Sequence, residues 1–102
     1  ARPLLNLSPF QAVRRDFAFV VEAKTDAAEV VRAAWSADKK LIVDVSIFDV
    51  YEGEGMEEGK KSVAISVTLQ PVKATLTEEQ IDAVAQNVTI EVEKRTGGTL
   101  RG

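Results

Sequence analysis

The residues of this chain best suited to chemistry sit in the middle of the sequence and near its end. Asp49 and Tyr51 stand two positions apart in Phe48-Asp49-Val50-Tyr51, Ser62 follows a glycine-rich loop, and Arg101 is next to the last residue. An ionised Asp accepts hydrogen bonds and donates none. It can therefore take the two donors, N1–H and N2–H, on the Watson–Crick edge of a guanine. A Tyr ring or an Arg guanidinium offers a plane for a base to stack on, worth about 1–3 kcal/mol per base. Each residue alone also has a plainer reading. Tyr51 suits the rim of a core, Ser62 an outward strand position, and Asp49 a loop cap or a partner of Lys60 or Lys61.

Catalytic chemistry finds little footing. The chain has no Cys and no His, which removes disulfides, thiolate nucleophiles, most zinc sites and the commonest general base. Absence of cysteine fits a reducing compartment. Glu57-Glu58 and Glu78-Glu79 fall in a loop and at a helix start, where carboxylates suit solvent and the helix dipole. The loop from Gly53 to Gly59 joins two strands instead of opening a helix and is flanked and filled by Glu52, Glu54, Glu57 and Glu58. It is no phosphate cradle.

These side chains must be held by a small number of elements. Lead-in residues 1–9 carry two prolines and little periodicity, and one domain is expected over residues 10–102. The start at Ala1 rather than Met fits a fragment or a processed chain. From Val13, Phe17, Phe19 and Val21 alternate with Asp16, Ala18 and Val20, the pattern of a strand with one core face. Asp26 with Glu29 marks a helix N-terminus of the capping-box type. Val30, Val31, Ala34 and Trp35 follow at helical spacing, with Trp35 expected in the core and the helix ending near Ala37-Asp38.

The segment Leu41–Tyr51 holds an irregularity. Val43, Val45 and Ile47 alternate with Asp44 and Ser46, but from Phe48 and Val50 the parity is reversed. One extra residue in a strand does this, so a β-bulge is expected near Ile47-Phe48. The bulge brings Asp44, Ser46, Asp49 and Tyr51 onto one polar face. In the next strand Val63, Ile65, Val67 and Leu69 face inward, and Ser62, Ala64, Ser66 and Thr68 face outward. Thr77 with Gln80 signals a second capping box, and Ile81, Val84, Ala85, Val88 and Val92 form one helical face. Gly97-Gly98 breaks the chain before a short last strand.

The order is βαββαβ. Each helix has one apolar stripe to bury, so both must cover the same face of an antiparallel sheet. The expected fold is an α+β, ferredoxin-like sandwich of four strands and two helices, with the other sheet face open.

Several segments in this order are similar to a known family. They are Arg14-Arg15-Asp16-Phe17-Ala18-Phe19, Phe48-Asp49-Val50-Tyr51-Glu52-Gly53, Gly59-Lys60-Lys61-Ser62-Val63-Ala64, Thr75-Leu76-Thr77 and Leu100-Arg101-Gly102. From about Ser8 to its end the chain resembles the ferredoxin-fold anticodon-binding domain of the bacterial phenylalanine–tRNA ligase β subunit. The acidic loop around Glu54, Glu57 and Glu58 is the one oddity. The resemblance implies a module that grips the anticodon loop of phenylalanine tRNA, typically GAA, with Asp49, Tyr51 and Ser62 reading a base. Arg101 would stack or meet a phosphate, and Ala18 would leave room for the base. Arg14 and Lys60 are candidates for phosphate contacts. It further implies the rest of the β subunit and the α subunit as partners, ATP and Mg²⁺ bound elsewhere with no cofactor here, and a cytoplasmic setting with no membrane.

Charge is consistent with base reading. With 13 basic and 16 acidic side chains the net charge is −3, whereas autonomous nucleic-acid binders gain most affinity from phosphate contacts. A carboxylate repels phosphate, so Asp49 on a binding face favours bases over backbone. The same fold also hosts small-molecule regulatory domains and acylphosphatase-type enzymes. The first would use a Gly-rich strand-to-helix turn and the second an Arg-bearing phosphate loop after strand one. Glu22-Ala23-Lys24-Thr25-Asp26 supplies neither.

Overall fold

The computed structural model describes residues 12–71 and 76–101. The lead-in of residues 1–9, Ser8, Thr75 and Gly102 lie outside the described residues. Four strands and two helices run in the expected order: β1 (Val13–Glu22), α1 (Ala27–Trp35), β2 (Ile42–Tyr51), β3 (Lys60–Leu69), α2 (Glu78–Thr96) and β4 (Thr99–Leu100). The sheet order is β2-β3-β1-β4, and every neighbouring pair is antiparallel. This is the ferredoxin-like arrangement, with β1 and β3 at the centre.

One core holds the two layers together. Phe17, Phe19 and Val21 of β1 and Val63, Ile65, Val67 and Leu69 of β3 are buried against Val30, Ala33 and Ala34 of α1 and Ile81, Val84, Val88 and Val92 of α2. The rings of Phe17 and Phe19 stack with centroids 6.0 Å apart. Both are core residues, as their alternation required. No helix among the described residues is long and apolar enough to cross a membrane.

The helix starts follow their caps. Asp26 accepts from the Ala28 N–H at 3.0 Å. The Glu29 carboxylate pairs with Arg32, which replaces the reciprocal bond that the spacing of Asp26 and Glu29 suggested. At α2 the box is complete: Thr77 Oγ1 accepts from the Gln80 N–H at 3.1 Å, and Gln80 Oε1 accepts from the Thr77 N–H at 2.9 Å. Replacing Thr77 by alanine is therefore expected to lower stability by about 1 kcal/mol. A urea midpoint unchanged in T77A would show that this cap does not hold the helix start.

Three expectations fail in informative ways. Helix α1 ends at Trp35, with Ser36 as its C-cap, a turn short of Asp38. Trp35 is 37% exposed instead of buried. Its inward neighbours are Val30, Ala33 and Ala34, and one further residue turns the side chain by about 100°, out beside Arg32, Lys39 and Arg95. Finally, β2 has two register shifts, not one. The shift between Ile47 and Asp49 is the expected bulge at Phe48, while another between Ile42 and Asp44 leaves Val43 exposed. Ile47, Phe48 and Val50 are also exposed. A nine-residue α1 is about 13 Å long, whereas a ten-residue β2 spans about 33 Å, so the helix cannot cover the whole edge strand.

Candidate nucleic-acid interface

The bulge at Phe48 decides what the open sheet face presents. It places Asp49 opposite Ala64 and Tyr51 opposite Ser62, while Ser46 stays opposite Ser66. On the other side of β3, Ala64 faces Ala18 and Ser62 faces Val20. Strand β4 continues the pattern: Thr99 opposes Val20, and the Arg101 N–H donates to the Ala18 carbonyl at 2.6 Å. Two cross-strand rows result. One reads Asp49, Ala64, Ala18, Arg101; its neighbour reads Tyr51, Ser62, Val20, Thr99.

The first row is a shallow trough. Strands lie about 4.8 Å apart, so Asp49 and Arg101 stand about 14 Å apart across it. Two alanines form the floor between them. Both end groups are exposed, and among the described residues neither side chain makes a hydrogen bond or ion pair. Asp49 is thus not paired with Lys60 or Lys61.

The second row bounds the trough. The Tyr51 hydroxyl donates to the Glu54 carbonyl in the following loop, which anchors the ring while leaving it 42% exposed. Ser62 is only 5% exposed, and its hydroxyl has no hydrogen-bond partner among the described residues. Buried polar groups are nearly always satisfied. A flat ligand seated deep beside Tyr51 would supply the missing partner.

The remaining candidates sit apart from this centre. Arg14 lies two rows away, opposite Thr68, and its Nε is 3.2 Å from Asp16. That pairing, with a hydrogen bond from Ser66, holds the Asp16 carboxyl below its ordinary value against a small opposing effect of burial. Lys60, opposite Glu22, lies past Ser62 at the other end of the face. Arg14 and Lys60 therefore flank the trough at opposite ends instead of lining it. Ala64 is the member of the central row that sequence reasoning placed on the face without a role. Its parity was visible; its position beside Ala18 follows only from strand pairing.

A helix-backed sheet whose bare face carries an acceptor, an anchored aromatic ring and a cation around a small-residue floor is a ligand-reading sheet of the ferredoxin-like class. Comparison with known proteins narrows this. The family model described as the ferredoxin-fold anticodon binding domain matches residues 8–101, and the chain belongs to that family. It is 58% identical over 101 residues to the phenylalanine–tRNA ligase beta subunit of Bradyrhizobium diazoefficiens, covering 99% of this chain and 13% of that protein. The corresponding subunits of Rhodopseudomonas palustris and Rhodospirillum rubrum are each 58% identical, over 102 and 100 residues, covering 100% and 98% of this chain and 13% and 12% of those proteins. The chain thus spans roughly an eighth of the length of the curated relatives it matches.

Proposed function

We propose that this chain is the tRNA anticodon-loop-reading module of a phenylalanine–tRNA ligase β subunit, and that its open sheet face reads the first anticodon base. The observation that carries the reading is the row of Asp49, Ala64, Ala18 and Arg101 beside Tyr51 and Ser62. Asp49 accepts from N1–H and N2–H of a guanine, the ring of Tyr51 stacks, and Ser62 gains a bond to the base. Arg101 closes the far end, by stacking or on a phosphate. Arg14 and Lys60 meet the backbone on either side. Single-stranded loop bases are the usual targets of sequence-specific RNA readers because they can be splayed out and stacked. Family membership and the named relatives support the same reading. Aminoacylation, with its ATP and Mg²⁺, belongs to the rest of the β subunit and to the α subunit, in the cytoplasm.

The test is fluorescence anisotropy at low salt with anticodon stem-loops. The chain is expected to bind a GAA loop more tightly than a loop whose first base is not guanine. Asp49→Asn removes the charge and one acceptor at constant shape, and its expected cost is about 1.5–3 kcal/mol for the GAA loop, with first-base preference lost. Equal binding of both loops by the unaltered chain would defeat the reading.

A further inference from the structure

The rows next to the trough carry polar groups that base reading at Asp49 leaves unused. Asp16 and Ser46 both oppose Ser66 from its two sides, and Arg14 joins from the row beyond. The Asp16 carboxylate is held at two points, by Arg14 Nε at 3.2 Å and by the Ser66 hydroxyl. Ser66 is 7% exposed, while the Asp16 side chain is half exposed. A carboxylate offers about four acceptor positions, so two donors below and beside it leave acceptors facing outward. An isolated surface ion pair would gain little from such positioning.

We infer that Asp16, oriented by Arg14 and Ser66 and accompanied by Ser46, forms a second nucleotide subsite that takes the base adjacent to the one at Asp49 and prefers bases with an exocyclic amino group over uracil. This rests on the anticodon-reading proposal above. Alternate residues of a strand are about 6.7 Å apart, which separates Asp16 from Ala18 by that distance along β1. Stacked bases rise about 3.4 Å, so the spacing fits a neighbouring nucleotide drawn out of its stack. An ionised carboxylate accepts from the amino group of adenine, cytosine or guanine. Uracil has no amino group and turns two carbonyl oxygens toward the site beside its single N3–H. The Ser46 hydroxyl, exposed on the outer strand, donates or accepts at a ring nitrogen. In a GAA loop the base concerned is the first adenine.

The experiment uses the 102-residue chain and its D16N and D49N variants in anisotropy titrations at low salt. Three stem-loops are compared: GAA, GUA and one with the first base changed. The unaltered chain is expected to bind GUA about tenfold more weakly than GAA, the scale of one charge-assisted hydrogen bond. D16N should weaken GAA binding by a similar factor and lose the second-base preference, while keeping the first-base preference that D49N loses. An unchanged urea midpoint in D16N secures its fold. A D16N chain that still discriminates the second base, or that weakens every loop alike, overturns the subsite and leaves first-base reading intact. An unaltered chain blind to the first base overturns the anticodon reading and the subsite with it.

Discussion

Replacing Phe19 by alanine is expected to lower the unfolding free energy by about 3–5 kcal/mol, the usual range for emptying a Phe site in a core. Phe19 is fully buried on a central strand, and it pairs with Val63 on one side and Leu100 on the other. Its removal takes contacts from Phe17 and from both helices' apolar faces at once, and no neighbouring strand can close inward without breaking a ladder. A single domain is stable by about 5–15 kcal/mol in total, so this one change uses a large part of the margin. Urea denaturation measures it as a drop in midpoint at constant slope. Phe48→Ala is the comparison. Phe48 is 55% exposed at the bulge, and its loss should lie within about 0.5 kcal/mol. Similar losses for both would mean that the assignment of inside and outside is wrong.

Gly98→Val should produce the second large effect, and a more local one. A Cβ at Gly98 would lie 2.6 Å from Val21 Cγ1 and 2.7 Å from the Val20 carbonyl oxygen. A side chain can rotate away, but a backbone oxygen held in a strand cannot, so the chain itself must move. Overpacking of this kind costs about 1–3 kcal/mol, and the backbone clash places G98V at the upper end. The element that gives way is β4, which has two residues and docks by pairing Thr99 and Leu100 with β1. Losing that register releases the bond from the Arg101 N–H to Ala18. The expected result is a lowered melting temperature, loss of hydrogen-exchange protection at the Arg101 amide, and weaker binding of a GAA loop. Unchanged protection at Arg101 would show that the close approach at Gly98 does not position the chain end.

Local pattern carried much of the fold. Alternation in β1 and β3, the Thr77–Gln80 pair and the parity reversal after Ile47 each reflect a periodicity of one or two turns or pleats, and each reappears in the structure. The bulge was legible because apolar residues on both sides of it kept their faces. The shift at Val43 was not, since Ile42 and Val43 are both apolar and either reads as the first inward residue of a strand. Trp35 misled for a related reason: an aromatic ring signals burial, but its angle around a short helix decides, and the inward face was already filled by Val30, Ala33 and Ala34. The candidate site was legible as a set of residue types on one face. Its arrangement was not. That Arg101 stands across Ala18 and Ala64 from Asp49 depends on strand order and register, which non-local pairing sets and no local window contains.

The alanine floor has a consequence for how this surface can change over time. Part of what the face offers is unfilled volume above Ala18 and Ala64, and nearly every substitution at those positions adds atoms. Random change there runs in one direction, toward closure. Both positions are only partly buried, so a larger side chain meets solvent rather than a packed neighbour and leaves the fold unharmed. A lineage that loses such a site by this route keeps a well-folded, well-expressed protein, and a screen for thermal stability would pass every one of its members.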